Sequence, residues 1–248
     1  MKKNKPSMVT FINTLPKMKN VFPRPEPAYK NIPDWYKKLE SFYNVDATPI
    51  NGHQNITAKR CLAFLDILSS GYILKAPFDI YIDTTEGKEI FEIPKLLKPL
   101  VEIGSKEFVG SHNMNQVQGY PFDKDQYIDF LFRINMIWVV KTQPGYSTLY
   151  LPLQHHELSP LFPISAIIDS DEYPSNGLMS FLVKKDFKGF INKGTPLMQV
   201  VPFKRQDFVS EFIETQEAVD KLNGLLSILM TFFNSGYKKL FWHKKSYR

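Results

Sequence analysis

The sequence predicts a mainly β protein, and three observations carry the prediction. Aromatic residues make up 14% of the 248 residues, mostly Phe and Tyr, which suit pleated, half-buried strands. Prolines number 18 against 12 glycines, supplying many strand ends and turns. Between Gly145 and Arg205, three short apolar runs are each punctuated by a polar cluster: P-G-Y-S-T-L, P-I-S-A-I-I-D-S-D-E-Y and I-N-K-G-T-P-L-M-Q-V-V-P-F. Apolar runs of this length, bounded by Gly, Pro, Asp and Ser, have the period and punctuation of strands.

Taken in chain order, residues 1–32 carry Pro6, Pro16, Pro23, Pro25 and Pro27. That density forbids a long helix and favours an extended arm, within which Val9, Phe11 and Ile12 suit a short strand. Pro33 or Asp34 opens a short helix through Trp35 and Tyr36, which anchor the arm by packing. Residues 44–56 form a polar connection. Thr57 then caps a helix to about Leu68 whose apolar face is Leu62, Phe64, Leu65 and Leu68. Ser69-Ser70-Gly71 stops it. Strands follow at 72–75, 78–82 and 90–93, with Thr85-Glu86-Gly87 as a hairpin turn. Residues 94–127 read as a long loop, either functional or partly disordered. Strands resume at 130–134, 137–141, 147–151, 164–168, 178–183 and 197–203. Residues 214–233 read as a helix apolar on most sides, hence buried on its own body or against another subunit. The tail Y-K-K-L-F-W-H-K-K-S-Y-R interleaves aromatic and basic residues, suited either to docking its aromatics or to engaging nucleic acid. The expected division is therefore an arm with a short helix (1–56), a β domain with a leading helix (57–205) and a C-terminal helix with its tail (206–248).

Bulk properties narrow the class. Hydrophobic residues at 43% and charged residues at 23% are ordinary for a globular protein able to bury a sizeable core. The net charge is +6, with a pI near 9.1. Much of the excess sits at the ends, in Lys2, Lys3, Lys5, Lys238, Lys239, Lys244, Lys245 and Arg248. Without these the remainder is close to neutral, so the ends are either solvated tails or salt-sensitive contacts to phosphates. Cys61, the single cysteine, lies in K-R-C-L-A-F-L-D-I-L and is expected to be a buried structural thiol. No apolar run reaches the length of a membrane span, and the Lys-rich start lacks the apolar core of a signal peptide. A cytoplasmic setting is the expectation, and the Lys/Asn/Ile-rich wording suits a bacterial or phage source.

Four short motifs carry a resemblance. Ser70-Gly71-Tyr72-Ile73-Leu74, Tyr146-Ser147-Thr148-Leu149, Ala166-Ile167-Ile168-Asp169-Ser170-Asp171-Glu172-Tyr173 and Gly194-Thr195-Pro196-Leu197-Met198-Gln199 follow one another in this order. Their order and wording resemble the motifs of the β-barrel superfamily of trimeric dUTPases and dCTP deaminases, over roughly residues 69–84 and 130–205. The resemblance implies a distorted jelly-roll or β-barrel, a homo-oligomer that could be a trimer, a nucleotide ligand, and magnesium if the chain is an enzyme. Carried over by position, it implies Asp169 as the catalytic residue, activating a water or binding a nucleoside hydroxyl. Ser147, Tyr173 and Gln199 are the implied ligand-binding residues.

The departures fall where the chemistry would be. Ile73 stands in the position of the family's magnesium-binding aspartate and offers no lone pair to a hard cation. Tyr146 replaces an arginine that grips phosphate bidentately. Tyr173 comes one residue late, a C-terminal helix replaces a Gly/Ser-rich arm, and Glu157 is the nearest, poor stand-in for a proton-shuttling glutamate. Asp169 also has a purely structural reading, as the cap of a turn after a strand. His155-His156-Glu157 is compact, but adjacent strand histidines face opposite ways and chelate poorly. Asp79 and Asp83 are expected to face solvent. Ser147 has no neighbouring base and P-G-Y-S-T is not a nucleophile elbow, so nucleophilic catalysis has little support.

Two functions follow as expectations. The first is a non-catalytic relative using the scaffold for assembly or ligand binding in a phage or bacterium. The alternative is a nucleotide-processing enzyme, a dUTP/dCTP hydrolase or deaminase, with a relocated site around Asp169. That enzyme would need replacement cations near the phosphates, for which Lys75, Lys141 and Arg133 are the candidates.

Overall fold

A computed structural model describes residues 8–18, 20–43, 56–94, 108–157, 159–173, 178–231 and 236–248. Part of the expected polar connection (44–55), part of the 94–127 loop (95–107), the N-terminal lysines and Phe232–Phe233 lie outside them. The chain divides into two compact units. One comprises residues 1–31 and 71–205, the other residues 32–70 and 206–248.

Among the described residues, the regular elements of the first unit are strands and short 3-10 turns, and the protein as a whole is mainly β. Four antiparallel sheets contain all the strands among the described residues, and none of them closes into a barrel there. In the central five-stranded sheet the order is β11 (Ala166–Ile168), β9 (Tyr146–Leu151), β14 (Pro196–Lys204), β3 (Tyr72–Lys75) and β2 (Glu26–Pro27). The four-stranded sheet runs β10 (Leu161–Pro163), β12 (Leu178–Lys184), β7 (Tyr127–Asn135), β6 (Val109–Asn113). A three-stranded sheet orders β13 (Lys188–Ile191), β4 (Ile80–Asp83) and β5 (Ile90–Glu92). Finally β1 (Val9–Asn13) pairs with β8 (Trp138–Thr142).

Alternation explains the well-read strands. In β7, Ile128, Phe130, Phe132 and Ile134 point to one buried face, while Leu131 reaches a second cluster with Met114 and Leu182. Phe91 of β5 stacks on Phe132 at 4.4 Å and meets Phe130 edge-on at 5.2 Å, tying the three-stranded sheet to the four-stranded one. The two buried rings, Phe130 and Phe132, each contribute roughly 1.5–3 kcal/mol from area alone. β14 and β3 are buried on both sides: Ile73, Leu74, Met198 and Val200 are all core. Gly71 makes that pairing possible. Its φ is +70°, and a Cβ there would lie 2.0 Å from the Val200 carbonyl oxygen, so no other residue fits.

The arm belongs to this unit. Phe22 is buried, and the Trp138 Nε1–H donates to the Pro23 carbonyl at 2.8 Å. The loop expected at 94–127 contains β6, whose polar residues pair with the apolar β7, and an Asn113-capped 3-10 turn. Asp83 corrects a second expectation. It is buried, accepts from the Thr85 hydroxyl at 2.6 Å and lies 3.2 Å from Lys188, while Asp79 is exposed before the strand begins. The Thr85 hydrogen bond and then Lys188, acting against desolvation, hold the Asp83 carboxyl down to about 2.

The second unit is helical: α1 (Asp34–Lys38), α2 (Leu62–Ser69), α3 (Gln216–Thr231) and α4 (Gly236–Leu240). Tyr36 is buried, stacks on Phe64 and donates its hydroxyl to the Lys59 carbonyl at 3.4 Å. The helix expected from Ala58 is a single 3-10 turn to Arg60, and α2 starts only at Leu62. Cys61 therefore sits in the break between them and is exposed, not buried. The tail docks by Trp242, whose Nε1–H reaches the Asp66 carboxylate at 3.1 Å, beside Lys245 at 2.5 Å. Among the described residues no helix is long and apolar enough to cross a membrane.

Candidate functional site

Strand register builds the site. β11 pairs with β9 so that Ile168 faces Thr148, which places Asp169 opposite Ser147 at the sheet margin. β9 in turn pairs with β14, with Ser147 facing Phe203 and Tyr146 facing Lys204. The pairing continues one step further, through the Arg205 N–H donating to the Gly145 carbonyl at 2.9 Å. Arg205 thus arrives beside two motifs that lie far from it in sequence.

Its guanidinium is heavily engaged. Nη1 donates to Asp171 Oδ1 at 2.7 Å and Nη2 to Asp171 Oδ2 at 2.6 Å, a bidentate fork. Nη1 also reaches the Ser147 Oγ at 3.1 Å and the Tyr146 carbonyl at 3.2 Å, and Asp169 Oδ1 at 3.4 Å. Ser147 donates its own hydroxyl hydrogen to Asp169 Oδ1 in a bond of 2.6 Å. Gly145, at φ +82°, donates its N–H to Asp171 Oδ2 at 2.7 Å, a conformation that favours glycine. One step inward, the Ser170 hydroxyl is within 2.8 Å of Thr142 Oγ1 and 2.6 Å of Thr148 Oγ1, so the loop is pinned on both faces.

The electrostatics follow from this geometry. The Arg205 hydrogen bonds hold the Asp171 carboxyl well below the usual carboxylate range, and Asp171 in return raises the Arg205 guanidinium. Glu172 stands 4.0 Å from Arg205. Three carboxylates surround one guanidinium, so the margin carries an excess of negative charge. A phosphate group approaching it meets repulsion.

The four site residues of the sequence reading separate into distinct roles. Ser147 is 0% exposed, with its oxygen both donating to Asp169 and accepting from Arg205, so it positions Asp169 and cannot meet a substrate. Asp169 leaves 61% of its side chain exposed. Tyr173 is nearby and exposed, its N–H donating to the Asp169 carbonyl at 2.8 Å. Gln199 is not part of this group. It is buried in the middle of β14, four residues along from Phe203, or roughly 13 Å at strand spacing.

A magnesium ion does not fit the residues present. The position of the implied aspartate, Ile73, is buried and pairs with Gln199 in the core. Among the described residues no group of three His, Cys, Asp or Glu side chains can hold a metal, and His155 sits in a turn at φ +57°. The candidate replacement cations stand elsewhere: Lys75 is held by Glu26 at 2.7 Å, Lys141 faces Thr10 on β1, and Arg133 lies on β7 against Gly110. A pocket of about 450 Å³, lined by Asp79, Tyr81, Glu92, Ile93, Pro94 and Phe190, contains none of the four residues.

Arg205 is the residue that sequence reasoning missed. Its only signal was a basic residue at the end of a strand, which becomes informative once the register sets it across from Gly145. A scan against protein-family models returns no match, and neither does a search of curated proteins.

Proposed function

We propose that the chain is a non-catalytic binding or assembly protein on a β scaffold resembling that of the trimeric dUTPases and dCTP deaminases, acting in the cytoplasm of a bacterium or phage-infected cell. One observation carries the reading. The cation nearest Asp169 is already bonded to Asp171, Ser147 and Tyr146, inside a ring of three carboxylates. A hydrolase or deaminase acting on a nucleoside triphosphate needs donors aimed at developing phosphate charge, in a site that is not already anionic. Here the same groups bond one another and hold two loops in place.

The exposed Asp169 carboxylate, held at a fixed angle by Ser147, is the feature that favours the alternative, a nucleotide-processing enzyme with a relocated site. The two readings separate in one experiment. Purified protein is incubated with dUTP or dCTP and magnesium while pyrophosphate and ammonia are followed alongside thermal shift. No turnover and no nucleotide-dependent shift are expected. Turnover that disappears in Asp169→Asn would replace the binding reading with the enzymatic one.

A further inference from the structure

α3 was expected to be buried, yet Val219, Leu222 and Leu226 stand about half exposed, with nothing to show what covers them. The outer face of the three-stranded sheet is different, because its chemistry names its own occupant. Along β4, Ile80 and Ile82 are buried in the core, so Tyr81 and Asp83 project from the other face. Pairing sets Phe190 of β13 and Glu92 of β5 on either side of Tyr81. The three residues therefore form one row across the sheet. Asp79, two residues before Tyr81, continues the same face.

These four residues line the pocket of about 450 Å³, together with Ile93 and Pro94. Small-molecule sites usually run to roughly 300–1,000 Å³, so the size suits a whole small ligand. The Tyr81 and Phe190 rings lie 5.1 Å apart, inclined at 55°, and make an aromatic corner. Phe190 is 62% exposed, so its ring is available to a ligand.

The carboxylates on this face divide into two kinds. Asp83 is already matched, by Lys188 at 3.2 Å and the Thr85 hydroxyl at 2.6 Å. Asp79 has only an uncharged partner, the Lys193 N–H at 2.7 Å, and the Glu92 side chain has none among the described residues. Two anionic groups without a counter-ion thus share a pocket with two aromatic rings. Such a lining repels an anion, and a neutral ligand leaves its carboxylates unused. A hard metal ion is poorly served too, since no group of three ligating side chains occurs among the described residues. An organic cation suits all the walls. Its charge meets Asp79 and Glu92, the rings attract it through their π faces, and its stem covers Ile93 and Pro94.

We propose that this pocket binds a small organic cation, an ammonium or guanidinium group carried on a short apolar stem. The inference goes beyond the reading of the Asp169 cluster, none of whose residues takes part.

The test is isothermal titration of the full chain at pH 7 with n-pentylammonium and n-pentylguanidinium, and with 1-pentanol as the neutral counterpart. Saturable binding of a single cation per chain is expected, with 1-pentanol about tenfold weaker or more. Glu92→Gln should weaken cation binding about fivefold to tenfold. Asp79→Asn, which keeps an acceptor for the Lys193 N–H, should weaken it by a similar or smaller factor. Phe190→Leu stays apolar but loses the ring face, so the cation should bind about threefold more weakly and the alcohol almost unchanged. All three positions are exposed, and thermal midpoints close to wild type would exclude unfolding as the cause. Glu172→Gln, beside Arg205, should leave cation binding unchanged, which separates this pocket from the anionic margin there. Absence of saturable binding, equal binding of cation and alcohol, or an affinity indifferent to Glu92→Gln and Phe190→Leu would overturn the proposal. Such a result leaves the non-catalytic reading standing. Nucleotide turnover would remove that reading and leave this pocket untouched.

Discussion

The loops gathered around Arg205 and the segment that immediately follows it are neighbours in sequence and opposites in chemistry. Arg205 is bonded within the chain on several sides: a fork to Asp171, the Ser147 hydroxyl that also donates to Asp169, and a carbonyl from Tyr146. In the segment from Phe208 to Leu222, Phe208, Val209, Phe212, Ile213 and Leu222 are more than half exposed. The first region spends its functional groups on holding itself together, and the second holds its hydrophobic surface in reserve. A residue type that looks catalytic can thus be bonded within the chain, while a helix that looks like core can lie exposed. Satisfaction of each group by its surroundings decides between these, and residue identity does not.

The sharpest way to break this comparison is to remove the guanidinium. Arg205→Ala leaves Asp169, Asp171 and Glu172 facing one another without a counter-charge, and the thermal midpoint should fall by several degrees. An unchanged midpoint would mean the cluster is not holding the two loops. Acid titration tests the same pairing with a smaller effect. Asp171 has a folded-state pKa below its unfolded value, so its contribution is fully present above the ordinary carboxylate range and is lost as pH falls through and below it. Asp171→Asn should therefore be less stable than wild type at pH 7, and the gap between their midpoints should close as pH is lowered from about 4 towards 2. A gap that stays constant with pH would show that the charge on Asp171 contributes nothing. The smallest effect belongs to the other region. Leu226→Gln should alter unfolding stability at low protein concentration by no more than about 0.5 kcal/mol, as exposed sites do. A loss of ~2 kcal/mol or more would show that the chain itself buries this side chain.

Much of the β unit was legible because its strands announce themselves locally. The Glu86-Gly87 turn lies between β4 and β5, and both residues take positive φ there. β7, β8, β9 and β14 carry apolar runs of strand length. β6 was not legible, since V-G-S-H-N lacks alternation, has Val109 as its sole β-branched residue, and pairs with β7 to become a strand. β13 is four residues long and follows a turn with Asp186 at φ +53°. Cys61 was misread because a helix start was placed one turn early, and a break of a single residue rotates a side chain out of its face. At the site, Ser147 and Asp169 could be found from their motifs. Their meeting with Arg205 depends on the register of three strands, which no local pattern encodes. The exposure of α3 was out of reach for a related reason: periodicity reveals an apolar face and is silent about its cover.

The pairing of β1 with β8 has a consequence in time. Met8 donates its N–H to the Gln143 side chain across 135 residues, so β1 can dock only after a partner far along the chain has been made. Until β8 exists, the backbone edge of β1 lacks the strand it pairs with, and the closing of so long a loop is slow. Refolding should accordingly end with a late phase in which Phe11 comes to rest against Tyr72, the ring it meets edge-on at 5.0 Å. Synthesis from the N-terminus exposes that edge for as long as it takes to make more than half the chain, the interval in which edge-to-edge pairing with other nascent copies is most easily nucleated.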